Sequence, residues 1–166
     1  MLVIDALTIA PRRRPGIALA SVSTCGYHHS VGVAYAGPVD EIRVIKPPAQ
    51  EEIRRQQLAY FLGVSSDTCG ATGLAMHLVV VPPGAAAEPH YHDGYETAIY
   101  QLEGRVETHY GDGLARSVVT EAGDFLFIPS GVPHRPVNLS PTERAVALVA
   151  RNDASEQERV VPYEPS

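Results

Sequence analysis

The chain has little lysine, little cysteine, no long apolar run and few stretches with a helical period, and each shortage narrows what it can be. Its 166 residues carry 13 Lys and Arg against 19 Asp and Glu, a formal net charge of −6. Nucleic-acid binding needs clustered cations to neutralise phosphates. The one basic run, residues 12–14, is expected to be a solvated tail or loop. No stretch reaches the ~18–20 apolar residues of a membrane-spanning helix. Residues 12–14 and the IALASVSTC that follows have the outline of a charged and then apolar export leader. The apolar part is short and the charges come late, so a cytoplasmic protein is expected. The two cysteines, Cys25 and Cys69, are expected as free thiols in such a compartment. Neither nucleic acid nor membrane is thus expected as a partner.

What the chain does have is Gly and Pro, 14 of each, placed between short apolar runs. That pattern predicts an all-β fold, a sandwich or barrel, and the length suits one domain with a sizeable core. Strands are expected at 41–46, 58–64, 74–81, 97–102, 105–110, 114–120, 124–128 and 144–151, with 50–57 as a helical turn or exposed loop. Residues 1–40 show no clear period and read as an N-terminal extension of uncertain order. The barrel is assigned to 41–151 and a polar tail to 152–166, which either covers an edge or lies loose.

The residues that carry chemistry lie in two stretches, PPGAAAEPHYHDGYE and GDFLFIPSGVPHRPVN. His90 and His92, two apart on an extended strand, project from one face. Asp93-Gly94 permits a turn that brings Glu96 back to the same pocket, and His134 has to come from a neighbouring strand. Imidazole nitrogen and carboxylate oxygen together suit a divalent transition metal such as Fe, Mn, Zn or Ni. Four ligands leave about two positions of an octahedral site open for water, substrate or dioxygen.

These stretches resemble the two motifs of the cupin family. The first runs Gly, five residues, His-x-His, three or four residues, Glu, six residues, Gly. Gly84, His90, His92 and Glu96 match its three-residue form, but Gly104 follows Glu96 after seven residues, so the glutamate is one place off the four-residue form. The second motif is matched throughout by Gly123, Pro129, Gly131, His134 and Asn138. The resemblance implies a double-stranded β-helix, or jelly-roll barrel, with His90, His92, Glu96 and His134 as ligands to an internal metal, and a homodimer. The wider stretch from Gly70 is similar to small single-domain bacterial cupins whose activities are mostly unassigned.

Around the metal, Tyr91 is expected to point away, Tyr100 to line the cavity because it shares the parity of Glu96, and Arg135 to face outward. Phe125 and Phe127 share one face and are expected in packing, and His77 reads as a satisfied core histidine. His28 and His29, neighbours on opposite faces of a strand, read as surface or partly buried. No catalytic acid or base stands out; Glu88 and Glu107 are the polar candidates near the motif strands. The expected function is that of a metal-dependent enzyme, a dioxygenase-like oxidoreductase acting on a small oxygenated molecule. The alternatives are a metal-dependent isomerase or decarboxylase of a small carboxylate or sugar-like compound, or a barrel that only binds its ligand. A largely apolar cavity would favour dioxygen chemistry or binding. A polar one with a proton-transfer group would favour a lyase or isomerase.

Overall fold

Alternating apolar residues and Gly- or Pro-marked turns give eleven strands among the described residues of the computed structural model, which are 42–46, 52–53, 58–155 and 159–165. In chain order they are β1 (Glu52–Ile53), β2 (Ala59–Val64), β3 (Ala75–Val81), β4 (His90–His92), β5 (Thr97–Glu103), β6 (Arg105–Tyr110), β7 (Arg116–Glu121), β8 (Phe125–Ile128), β9 (His134–Asn138), β10 (Ala145–Arg151) and β11 (Val160–Pro162). One sheet has the order β1-β2-β3-β10-β5-β8 and the other β11-β4-β9-β6-β7, every pairing antiparallel. This is the expected all-β, double-stranded β-helix. All the described residues belong to one compact unit.

Period-two alternation sends one set of side chains inward from every strand. Leu58, Tyr60, Val79, Val81, Val106, Ala145 and Val149 form the interior cluster. A smaller cluster of Ala59, Val80 and Val146 lies on the opposite face of β2, β3 and β10. Residues 42–46, expected with 41 as a strand, form no strand among the described residues; Ile42 and Val44 are exposed, and Arg43 Nη1 donates to Cys69 O at 2.8 Å. A strand exists only where a second backbone completes its ladder. Glu52–Ile53, expected in a helical turn or loop, pairs instead with β2. The chain beyond 151 covers an edge, because β11 pairs with β4.

The turn between β5 and β6 shows why Gly104 recurs in the motif. Its φ of +81° lies in the left-handed region, and a Cβ there would come within 2.9 Å of the Cα and Cβ of Ala145. Both the conformation and the space require glycine. Residues 1–41, with Cys25, His28 and His29, lie outside the described residues; Cys69 is a free thiol.

Candidate metal centre

The second motif closes over the first through backbone hydrogen bonds. Gly131 N and Ser130 Oγ both donate to His92 O, at 2.8 and 3.2 Å, and Gly94 N donates to Ser130 Oγ at 2.9 Å. His90 on β4 lies directly opposite His134 on β9. Residues opposite one another in an antiparallel pair share a face, so the two rings meet at 4.3 Å between centroids. His92 stands 4.7 Å from His134 and 5.3 Å from His90 by the same measure. All three are buried, and one ring nitrogen from each falls in a group no more than 4.8 Å across.

Each ring has its Nδ1 engaged. Glu88 O lies 2.7 Å from His90 Nδ1, Val132 O 2.9 Å from His134 Nδ1, and Thr97 Oγ1 2.8 Å from His92 Nδ1. A carbonyl can only accept, so His90 and His134 carry the proton on Nδ1 and turn a bare Nε2 inward. Thr97 can hold His92 in the same tautomer. Nε2 of His92 is buried with no hydrogen-bond partner. Tyr95, 1% exposed, stacks on the His92 ring at 4.8 Å and 17°. Three oriented imidazoles with tied Nδ1 groups and one orphaned Nε2 fit a metal: ligating histidines show this outer hydrogen bonding, which fixes the ring and raises its basicity.

Electrostatics point the same way. Burial, then the neighbouring His134, pushes His90 down to about 3. Burial holds His134 at about 4, against the opposing pull of the Val132 carbonyl. Burial and the nearby His134, Arg151 and His90 push His92 well below the usual imidazole range. All three are neutral at pH 7, the form that binds metal. The sign of the linkage follows. These histidines stay unprotonated when folded but charge near 6.5 when unfolded, so their contribution to stability is complete above that value and is lost as pH falls toward 4. Metal-free protein should therefore lose on the order of 2 kcal/mol per histidine between about pH 7.5 and about pH 5. Urea denaturation at the two values checks this; equal unfolding free energies would contradict a buried neutral trio.

Glu96 is not brought into the group. It is exposed, and its backbone N–H donates to Asn152 Oδ1 at 2.8 Å. Strand parity is the cause: Thr97 faces inward as the first residue of β5, and its neighbour must face outward. The residues that meet are thus three histidines with Thr97 beside them, and Glu96 lies outside their group. The signal was in the sequence. Four residues separate His92 from Thr97 and six separate Thr97 from Gly104, so Thr97 holds the place that the four-residue form of the motif gives to its carboxylate. Tyr100 does share the side of Glu96, but that side is the outer one; its ring packs on Phe125 at 4.7 Å. Phe125 and Phe127 are 82% and 59% exposed, and Leu126 and Ile128 take the inward places. Glu88 is exposed, and the half-buried Glu107 lies 3.6 Å from His109 Nε2; neither lines the cavity. Tyr91 and Arg135 face away as expected, and Arg135 Nε donates to Ala87 O at 3.3 Å. His77 is buried in β3 and accepts from Gly63 N at 3.1 Å, outside the cavity.

The cavity before the histidines leaves about 60 Å³ in which the centre of a water molecule can sit. That is room for several water molecules or a small ligand. Valine, leucine, isoleucine and alanine side chains make half of the wall; Tyr60, Thr97, Gln101, Thr108, Thr120 and Arg151 are its polar members besides the histidines, and no carboxylate lines it among the described residues. Arg151, the last residue of β10, is buried and donates from Nη2 to the Tyr60 hydroxyl at 3.2 Å. Nothing in its sequence position marked it, because its place depends on pairing opposite Thr97.

Comparison with known proteins agrees with this architecture. The cupin domain family model matches residues 77–151. A germin-like protein, 3-1, of Oryza sativa subsp. japonica is 30% identical over 95 residues, which are 56% of this chain and 42% of that protein. An oxalate decarboxylase of Bacillus subtilis superposes with a TM-score of 0.56 at 25% identity, over 71% of this chain and 30% of that one. The polyketide cyclase RemF of Streptomyces resistomycificus superposes with a TM-score of 0.57 at 23% identity, over 76% and 87%. The chain spans under half the length of the germin-like relative and about a third of the oxalate decarboxylase. With both motifs in register on a double-stranded β-helix and the family's domain model matched across the three histidines, residues 77–151 of the chain are similar to the cupin domain.

Proposed function

We propose that this barrel is a metal-dependent oxidoreductase that uses dioxygen on a small oxygenated molecule. The observation that carries the reading is the set of three neutral imidazoles, each with its Nδ1 tied, meeting in a small and mostly apolar cavity. His90, His92 and His134 would hold a divalent ion, which when bound supplies adjacent open positions where a substrate and dioxygen can meet. The chain's own residues orient those ligands through Glu88 O, Val132 O and Thr97, and the aliphatic wall keeps water from the reacting atoms. Dioxygenation needs no protein acid or base to balance it, since both oxygen atoms enter the substrate, whose electrons reduce them. An isomerase or decarboxylase would require a positioned proton-transfer group. Glu88 and Glu107, the candidates for that role, are outside the cavity.

The test is elemental analysis of protein purified without added metal or a histidine tag, followed by oxygen-uptake assays with small acids and diketones. Near one equivalent of Fe per chain and substrate-dependent oxygen consumption are expected. Zn or Ni with no oxygen uptake would move the assignment to Lewis-acid chemistry. No metal, and none taken up on reconstitution, would leave a ligand-binding barrel.

A further inference from the structure

The outer faces of the two sheets differ in kind. On the sheet of β4, β6, β7 and β9 the residues that alternate with the cavity-lining ones include Glu107, His109, Glu121 and Arg135, as a face in water requires. On the other sheet the outward residues of β3, β10, β5 and β8 carry no charged side chain, and the Tyr100 hydroxyl is their one polar group. They line up across the ladder: Leu148 beside Tyr100 beside Phe125, and Ala150 beside Ala98 beside Phe127. FLFI and AVALVA therefore lack the alternation of strands with one face in water. The single chain covers only part of this face. Ala59, Val80 and Val146, on β2, β3 and β10, are buried. Phe125 and Phe127, on the edge strand β8, are 82% and 59% exposed, and Ala98 and Leu102 are exposed beside them.

We propose that the outer face of β5 and β8 is the contact surface between two copies of this chain, packed about a two-fold axis. Area supports a second copy as the occupant. At ~150–250 Å² per aromatic side chain, the two phenylalanines alone expose roughly 280 Å². A stable interface takes about 800 Å² from each partner, of which about 450–520 Å² is apolar. Leu102, Ala98, Met76 and the half-buried Tyr100 bring the patch to about that apolar area. Charge supports it as well. A net charge of −6 on each chain drives copies apart, so their contact has to be uncharged at its centre. The nearest charges lie at the rim and are engaged within the chain: Glu103 faces Arg144 at 3.5 Å, and Asp124 Oδ2 accepts from Glu121 N at 2.8 Å. An uncharged apolar patch is complementary to itself, which is the condition for a two-fold contact. The inference is independent of the metal-centre reading, because the histidines lie on the inner side of the barrel wall.

Sedimentation velocity of the full chain at about 50 µM tests this. Wild type is expected to run at twice the chain mass. Phe125→Glu combined with Phe127→Glu is expected to run as a monomer with the circular dichroism of wild type, its dimer dissociation constant raised at least about a hundredfold. Val119→Glu, exposed on the outer face of β7 in the other sheet, is expected to remain a dimer. A wild-type dimer that the double substitution leaves intact would overturn the inference by placing the contact elsewhere. So would one that Val119→Glu dissociates to the same extent. A wild-type monomer would overturn it too, and binding of anilinonaphthalene sulfonate then says how. Dye bound would mean a face left open for a different protein, and no dye bound a face that the chain covers itself. Should the double substitution not fold, Phe127→Ser is measured in its place, with the dimer expected to weaken at least about tenfold; an unchanged dissociation constant would overturn the inference.

Discussion

His92→Ala strips the metal and leaves a folded barrel. The side chain supplies one of three ligand nitrogens, and in metal-free protein its Nε2 has no partner. Removing it therefore discards a buried, unsatisfied atom along with the ring's packing on Tyr95 and its hydrogen bond to Thr97. The orphan's desolvation penalty offsets part of the packing loss, so the metal-free variant should lose only about 1–2 kcal/mol. The loaded protein behaves differently. Loss of an outer hydrogen-bond partner costs 10–100-fold in metal affinity, and loss of a ligand should cost more than that. With metal at about a thousand times its dissociation constant, binding adds about 4 kcal/mol to wild-type stability, and this increment should vanish in the variant. Thermal unfolding of both proteins with and without added metal measures the two effects separately. A metal-dependent rise in Tm that survives in His92→Ala would mean that the histidine trio is not the site.

The same residues show how far sequence reasoning reaches. The fold and the meeting of His90, His92 and His134 were legible because Gly, Pro and His fall at the spacings of the two motifs. His90 and His92 share a face by strand parity alone. His134 needed the second motif, whose Gly131 and Ser130 bond to the His92 carbonyl. Glu96 falls outside the group because residue type does not set the face of a strand: a one-residue slip moves a side chain to the other side. The same parity carried Tyr100 outward. Tyr60 and Arg151, 91 positions apart, could not be brought together from sequence, because their contact depends on β2 and β10 both pairing with β3.

Asn138, which closes the second motif, should prove the most costly polar side chain to remove. It is 2% exposed at the end of β9, and its Nδ2 has three carbonyls within reach: Val81 O at 3.0 Å, Pro82 O at 3.1 Å and Glu143 O at 2.8 Å. Its Oδ1 accepts from Ser140 N at 3.0 Å. One side chain thus ties the end of β3, the end of β9 and the loop leading to β10. Asn138→Ala leaves these backbone groups without their partner. At ~1–3 kcal/mol for each buried group left unsatisfied, and with water able to reach some of them beside exposed Pro82 and Glu143, the expected loss is about 3–5 kcal/mol. Asn138→Asp should cost at least as much, since an anion would then face the three carbonyls that Nδ2 now serves. Urea denaturation of metal-free protein isolates the effect from metal linkage, and a loss below about 0.5 kcal/mol would show the clamp to be dispensable. The clamp bears on the metal centre only through the strand it anchors. His134 begins β9 and is held at its own end by Val132 O and by pairing opposite His90. Asn138→Ala should therefore lower stability far more than it lowers metal affinity per folded molecule, the reverse of His92→Ala.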